Sequence, residues 1–378
     1  MLSRPKVLAS LGLAVERHRL TVLVGPKSCG KTALARAFAT TRRATVFDLN
    51  DAWTLQGFER PGRMIERLRG LVVLDGVERQ PELLAEVRRF VAERRRSATF
   101  LAVSGVSPGL LASDGDLMLD VPTVEVGGLE PGEADLSTDV LWVRGGLPPA
   151  SLAQSDEASF AWRRGIVREF IERDFRRSGL LRASAAFERT LTMAAHGHGQ
   201  AWNSSSIARA LKVDDTTVHR YLEVLSGTFM LRVLPAWVEN TRRRQRKAPK
   251  VYVRDSGILH ALLGLETQEQ LRSHPIAAAS WKGFALERVL ALLPTREVHH
   301  WALHTGAELD LLATCGGKRF GFVFQFADHP TWSPAMDIAV EVLRLDRLWV
   351  IFDGERSDDL GERIRRVPLL SLDEELAA

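Results

Sequence analysis

The sequence predicts an α/β chain: a parallel sheet flanked by helices in the first third, then a winged-helix unit, then a small α/β end domain. Three patterns carry this reading. Short apolar runs at Leu20–Val24, 44–49, 71–74 and Ala98–Ser104 alternate with helical segments, as in a parallel sheet with crossover helices. Two capped helices separated by a short turn occupy 203–225. From Trp281 a helix precedes three short strands. The 378 residues fit two or three domains at roughly 100–200 residues each, and the expected division is 1–155, 156–265 and 266–378.

Composition bounds the function. With 45% hydrophobic and 26% charged residues the chain is an ordinary globular sequence, neither disordered nor collagen-like. Its apolar runs fall short of the ~18 residues of a membrane span. The amino terminus is too weakly apolar for a secretory leader. Cys29 and Cys315 are too few for a disulfide or metal framework, so a reducing cytoplasm is expected. The net charge of +4 has two readings. It fits nucleic-acid binding. It also fits the arginine habit of a GC-rich genome, since 8 of the 51 basic residues are Lys. Bulk charge does not separate them.

The first element is the most specific. Leu20–Val24 reads as a strand, 33–38 begins a helix, and between them lies Gly25-Pro26-Lys27-Ser28-Cys29-Gly30-Lys31-Thr32. This is G-x-x-x-x-G-K-T in the strand–loop–helix context that defines a P-loop. Glycines let backbone N–H groups wrap phosphates, and the helix N-terminus favours anions. Lys31 places a cation at the β- and γ-phosphates, and Thr32 offers its hydroxyl to Mg²⁺. The run 71–74 ends in Asp75, where a buried parallel strand would present a second Mg²⁺ carboxylate. The expected cofactors are ATP and Mg²⁺, with Thr32 and Asp75 on the metal. Gly76 follows Asp75 and has no side chain to hold an attacking water, so binding is better supported than efficient hydrolysis. A Gly76→Glu change is expected to raise hydrolysis if that group alone is missing. Glu78 lies two residues on and should aim elsewhere. Ser104-Gly105 either contacts the γ-phosphate or forms a strand-end turn.

In the middle of the chain, 155–182 reads as a charged amphipathic helix. Arg163, Arg164, Arg168 and Arg173 are candidates for reaching a γ-phosphate, or else form a solvated face. His196 and His198 lack the acid or cysteine company of a zinc site and read as a loop closing a helix. The helix-turn-helix at 203–225 is followed by β-type runs at 229–233 and Lys250–Val253 around a basic stretch. This winged-helix pattern either packs or meets double-stranded DNA. Thr216, Thr217, His219 and Arg220 would be its groove positions, and Arg242, Arg243, Arg244, Arg246 and Lys247 would lie against phosphates.

The last third has strands at about 297–304, 308–313 and 319–326. Alternation puts Phe320, Phe322, Phe324 and Phe326 on one face and Gly321, Val323 and Gln325 on the other. A helix followed by acid-bearing strands is the layout of restriction-endonuclease-like domains, which use a strand Asp and then Glu-x-Lys to hold Mg²⁺ at a scissile phosphate. Asp310 is present, but Val323 and Gln325 stand at the Glu-x-Lys positions, and neither serves that chemistry.

The stretches 25–32, 74–84, 143–148, 170–175, 196–200, 252–264, 280–284 and 306–310 together span nearly the whole chain. In combination the sequence resembles the bacterial and archaeal AAA-type P-loop ATP-binding proteins that carry a winged helix and a C-terminal nuclease-like (PD-(D/E)xK-like) domain of unknown function. The resemblance implies ATP binding, with Lys31, Thr32 and Asp75 at matching positions. Three places depart from the pattern. Gly76 replaces the usual Glu after Asp75, Lys282 replaces the Glu before the Gly-Phe pair, and Val323 and Gln325 replace the last strand's acid and lysine. The expected function is therefore a nucleotide-dependent switch with weak hydrolysis. A DNA-binding regulator is the alternative, and metal-dependent cleavage is the reading least favoured.

Overall fold

The computed structural model describes residues 4–58, 61–93, 98–111, 121–174, 185–238, 247–295, 297–304 and 306–377. The chain forms two compact units. The first comprises Met1–Leu136, Gly146–Pro149 and Leu222–Met230, and the second comprises Ser137–Gly145, Ala150–Tyr221 and Leu231–Ala378.

The first unit is built on a five-stranded sheet. Its strands are β1 (Leu20–Val24), β2 (Ala44–Asp48), β3 (Gly70–Asp75), β4 (Ala98–Ser104) and β5 (Thr123–Glu125), in the order β2-β3-β4-β1-β5. All four pairings are parallel. Crossover segments cover both faces of such a sheet, so its central strands are apolar at successive positions and do not alternate. Every residue of β1 is buried accordingly. Val22, Val72, Leu74, Phe100 and Ala102 pack with Leu83, Leu84 and Val87 of the helix Pro81–Ala92. The register pairs Asp48 with Asp75, Asp75 with Val103 and Val24 with Ser104. The carboxyl ends of β1 to β4 therefore form one edge, the place where open α/β sheets hold ligands.

The second unit contains two sheets. β6 (Gln200–Ala201), β7 (Leu231–Leu234) and β8 (Lys250–Val253) are antiparallel in the order β6-β8-β7. The helix Ser204–Leu211 leads into this region, capped by the Asn203 side chain, which accepts a hydrogen bond from the Ser206 N–H. The other sheet has six strands: β9 (Val298–Ala302), β10 (Glu308–Cys315), β11 (Lys318–Gln325), β12 (Arg347–Phe352), β13 (Asp358–Asp359) and β14 (Ile364–Pro368), in the order β13-β14-β12-β11-β10-β9. Phe322 and Phe324 pack with Trp281, Leu286 and Val289 of the helix Ala277–Leu292. Leu309, Leu312 and Leu348 pack on the opposite face with Met336, Ala339 and Leu343 of the helix Pro334–Leu343. Alternation sorted the phenylalanines correctly. It left the Val323 side open, whereas a second helix covers it. The run Arg347–Phe352 adds a fully formed strand that the reading of three strands omitted. Among the described residues, no helix is long and apolar enough to cross a membrane.

Candidate functional site

The loop after β1 has a backbone that few residues tolerate. Gly25 has φ of 155°, and a Cβ there would lie 2.1 Å from the Val126 carbonyl oxygen. Ser28 and Gly30 both sit in the left-handed region, at φ of 66° and 98°. This chain reversal delivers Lys31 to the first position of the helix Lys31–Thr40, whose N-terminus receives no side-chain cap from Gly30. First-turn N–H groups thus face the loop with the positive end of the helix dipole behind them. Cys29 is buried beneath the loop and Lys27 is exposed. The Lys31 ammonium is buried and donates to the carbonyl oxygens of Gly25 (2.9 Å) and Pro26 (2.8 Å). A loop of backbone donors around a fixed ammonium is chemically suited to a polyphosphate.

Asp75 faces this helix from the end of β3. The nearby Thr32 hydroxyl favours its charged form. Burial pushes the Asp75 carboxyl above the usual carboxylate range, and Asp48 pushes the same way. The Thr32 hydroxyl, Arg36 and Lys31 oppose that shift. A buried carboxylate beside a hydroxyl is an oxygen donor set that fits Mg²⁺. Asp48 was missed in the sequence, although it ends β2 as Asp75 ends β3. It pairs with Arg36 at 3.2 Å and accepts hydrogen bonds from the Asn50 N–H (3.0 Å) and side-chain amide (3.1 Å).

Gly76 is left-handed at φ of 88°, and a Cβ there would lie 2.8 Å from Asn50 Nδ2. The expectation for Gly76→Glu is therefore revised. A side chain at 76 would be strained and aimed at Asn50, on the β2 side of β3. Gly76→Ala should cost about 1–2 kcal/mol from the left-handed backbone alone, read as a lower denaturation midpoint. A neutral result would show that the backbone there relaxes freely. Ser104 resolves as a strand-end turn. Its hydroxyl donates to the Val106 carbonyl (2.8 Å) and accepts from the Val106 N–H (2.9 Å). Glu78 lies in the one-turn segment Val77–Arg79, half-buried, with Oε1 3.3 Å from where a Cβ on Gly105 would sit.

Other sequence candidates are placed differently. Arg163 is not a free phosphate-reaching group. It is fully buried, and its guanidinium donates to the carbonyl oxygens of Val143 (3.2 Å) and Gly257 (3.1 Å). The helical spacing that suggested a basic face turns this arginine inward instead. Arg164 and Arg168 are exposed. The Arg173 side chain lies outside the described residues, as do Arg242, Arg243, Arg244 and Arg246. Lys247 donates to the Ala302 carbonyl oxygen at 3.2 Å. Thr216, His219 and Arg220 are exposed on the helix Asp215–Gly227, with Thr217 half-buried. His196 ends the helix Ala185–His196. His198 is buried, its Nδ1 accepts the Val253 N–H at 3.1 Å, and burial lowers its pKa to about 4.

Asp310 is buried and does not stand alone. The Lys282 ammonium lies 3.2 Å from Oδ1 and 3.3 Å from Oδ2, and Oδ2 also accepts the Phe324 N–H at 2.9 Å. Val323 packs into the apolar cluster on the far face of the sheet. The residues around Asp310 do not fit a divalent cation, because an ammonium already occupies the face of its one carboxylate.

Residues 17–120 match the AAA domain, and residues 137–269 match a domain of unknown function (DUF8612). The Walker-type ATPase PABY2304 of Pyrococcus abyssi shares the fold at a TM-score of 0.50 and 15% identity, over 70% of this chain and 96% of that one. Two proteins, the uncharacterized protein Rv2008c of Mycobacterium tuberculosis and the uncharacterized protein Mb2031c of Mycobacterium bovis, are each 36% identical over 371 residues, 97% of this chain and 84% of theirs. At 36% identity over nearly its whole length the chain belongs to the family of those two mycobacterial proteins, and its parallel sheet, P-loop and AAA-domain match give it the AAA-type P-loop ATPase fold.

Proposed function

We propose that the protein binds ATP with Mg²⁺ and acts as a nucleotide-dependent switch with weak hydrolysis. The observation that carries this reading is the convergence of Lys31, Thr32 and Asp75 at one sheet edge, where Thr32 and Lys31 both favour the charged form of Asp75. On this reading the backbone from Gly25 through Pro26, Lys27, Ser28 and Cys29 to Gly30 wraps the phosphates, Lys31 meets their charge, and Thr32 and Asp75 hold the metal. Bound Mg²⁺ neutralises charge on the transferring phosphoryl group. Residues 1–155 would carry the nucleotide, 156–265 a winged helix, and 266–378 a nuclease-like end that does not cleave. Cys29 and Cys315 are free thiols, as a cytoplasmic setting would keep them.

Calorimetric titration of Mg·ATP into the wild type and Asp75→Asn tests this. Asparagine keeps the shape and removes the charge, so affinity should fall roughly tenfold or more with Mg²⁺ and change little with EDTA. Equal loss in both conditions would contradict a metal role for Asp75. Because burial raises the Asp75 pKa, its carboxylate protonates at a higher pH than a free aspartate. The Mg²⁺-dependent part of binding should therefore fade earlier than solution carboxylates titrate as pH drops.

A second reading is favoured by one observation, the capped helix Ser204–Leu211 and helix Asp215–Gly227 followed by the β7–β8 hairpin. We propose this as a winged helix whose exposed His219 and Arg220 meet double-stranded DNA. Fluorescence anisotropy with a duplex at two salt concentrations decides it. Binding that weakens steeply with salt supports DNA contact, and no binding at low salt sinks it.

A further inference from the structure

The nucleotide site has a carboxylate that the sequence pattern places wrongly. A group that orients water for attack on a phosphoryl centre must sit at the sheet edge between the phosphate loop and the metal carboxylate. Gly76, directly after Asp75, has no side chain, and its missing Cβ points at Asn50 on the β2 side. β2 and β4 flank β3 on opposite sides. The left-handed turn at Gly76 and the burial of Val77 then carry the chain back across the edge. Glu78 arrives beside Gly105, with Oε1 3.3 Å from where a Cβ would sit. Gly105 follows Ser104, which pairs with Val24, so Gly105 is level with Gly25, the first residue of the phosphate loop. Its strand, β4, separates the strand of Asp75 from that of the loop. The other Glu78 oxygen, Oε2, is shielded from solvent and has no hydrogen-bond partner. The Ser104 hydroxyl is turned into its own loop.

We infer that Glu78 is the catalytic residue that holds and deprotonates the attacking water in ATP hydrolysis, displaced two positions from the metal carboxylate by the Gly76 turn. The inference rests on the ATP-binding reading above. A water hydrogen-bonded to the Glu78 carboxylate forms a bond from its oxygen to the γ-phosphorus. The bond between that phosphorus and the β,γ-bridging oxygen breaks, and ADP retains the electron pair. The water proton passes to the Glu78 carboxylate and then to solvent, leaving ADP, orthophosphate and a proton. Gly105 is a positioning residue, since a Cβ there would lie 3.3 Å from Oε1 and push the carboxylate aside by a few tenths of an ångström.

The test pairs Mg·ATP titration with phosphate release at saturating ATP for wild type, Glu78→Gln and Gly105→Ala, with melting temperatures as a folding control. The titration alone reports the ATP-binding reading. If the wild type does not bind, that reading fails and takes this inference with it. Given binding, Glu78→Gln should keep wild-type affinity and lose phosphate release by about 10²-fold or more. Gly105→Ala keeps the carboxylate but crowds it, and should slow release several-fold at unchanged affinity. Wild-type binding without any phosphate release would overturn the inference. So would a Glu78→Gln variant retaining more than about one-thirtieth of wild-type turnover, or losing affinity and turnover in parallel.

Discussion

Lys31→Ala is expected to weaken Mg·ATP binding by about 10²-fold or more, some 3 kcal/mol, with a small change in melting temperature. The side chain is buried and its ammonium is tied to the Gly25 and Pro26 carbonyl oxygens. A cation held there meets phosphate through charge-assisted hydrogen bonds, which are roughly twice as strong as neutral ones. Truncation removes both the cation and the tie that shapes the loop. Of the two carbonyls it releases, that of Gly25 is buried and that of Pro26 half-buried, which costs stability about 1 kcal/mol. Lys31→Arg should fail nearly as badly, because a planar guanidinium is longer and wider than the point charge this loop encloses. Calorimetry reads the affinity. An alanine variant that binds within threefold of wild type would remove the P-loop from the account of nucleotide binding.

Glu287→Ala is expected to destabilise the second unit by about 2–4 kcal/mol, discounted from the value for a fully buried pair because the site is partly open. Glu287 projects from the helix Ala277–Leu292 between two arginines. Arg232 of β7 donates to its two oxygens at 2.6 and 2.9 Å, and Arg254, just after β8, donates to Oε2 at 3.0 and 2.9 Å. The helix and the hairpin are thus joined by one carboxylate, and alanine leaves two guanidiniums facing each other. Burial alone would raise the Glu287 pKa, but the arginines win and hold it at about 2. The sign follows from that depression. The folded carboxyl binds its proton less readily than the unfolded one, so the stabilisation is full above about pH 4.5 and is lost as pH falls towards 2. Denaturation midpoints of wild type and Glu287→Ala should therefore converge on acidification. A gap that stays constant from neutral pH to pH 3 would show that the charge is not what the site contributes.

The site was legible to different depths. The P-loop and Asp75 were readable because their geometry is local: a glycine-rich reversal between a strand and a helix is written in consecutive residues, and a strand-ending acid follows its own apolar run. Glu78 was not, because its direction depends on a left-handed turn at Gly76 and on the register of β4. Asp48 was missed for a related reason. Its importance comes from lying opposite Asp75 across a strand pairing. Arg163 misled because charge in a helix reads as a solvated face, and only the carbonyls of Val143 and Gly257 explain why it is sealed inside.

By itself the amino-acid sequence determined the parallel sheet, the phosphate-loop motif, the acid that ends β3 and the inward face of the phenylalanines in β11. Each is a matter of residue type at short spacing, where backbone sterics and side-chain chemistry leave few alternatives. Tertiary structure alone decided that Lys282 neutralises Asp310 and that Gly76 points away from the phosphate loop. It likewise decided that Glu78 comes to rest beside Gly105. Those outcomes depend on pairings between distant segments, whose register and packing no local pattern encodes.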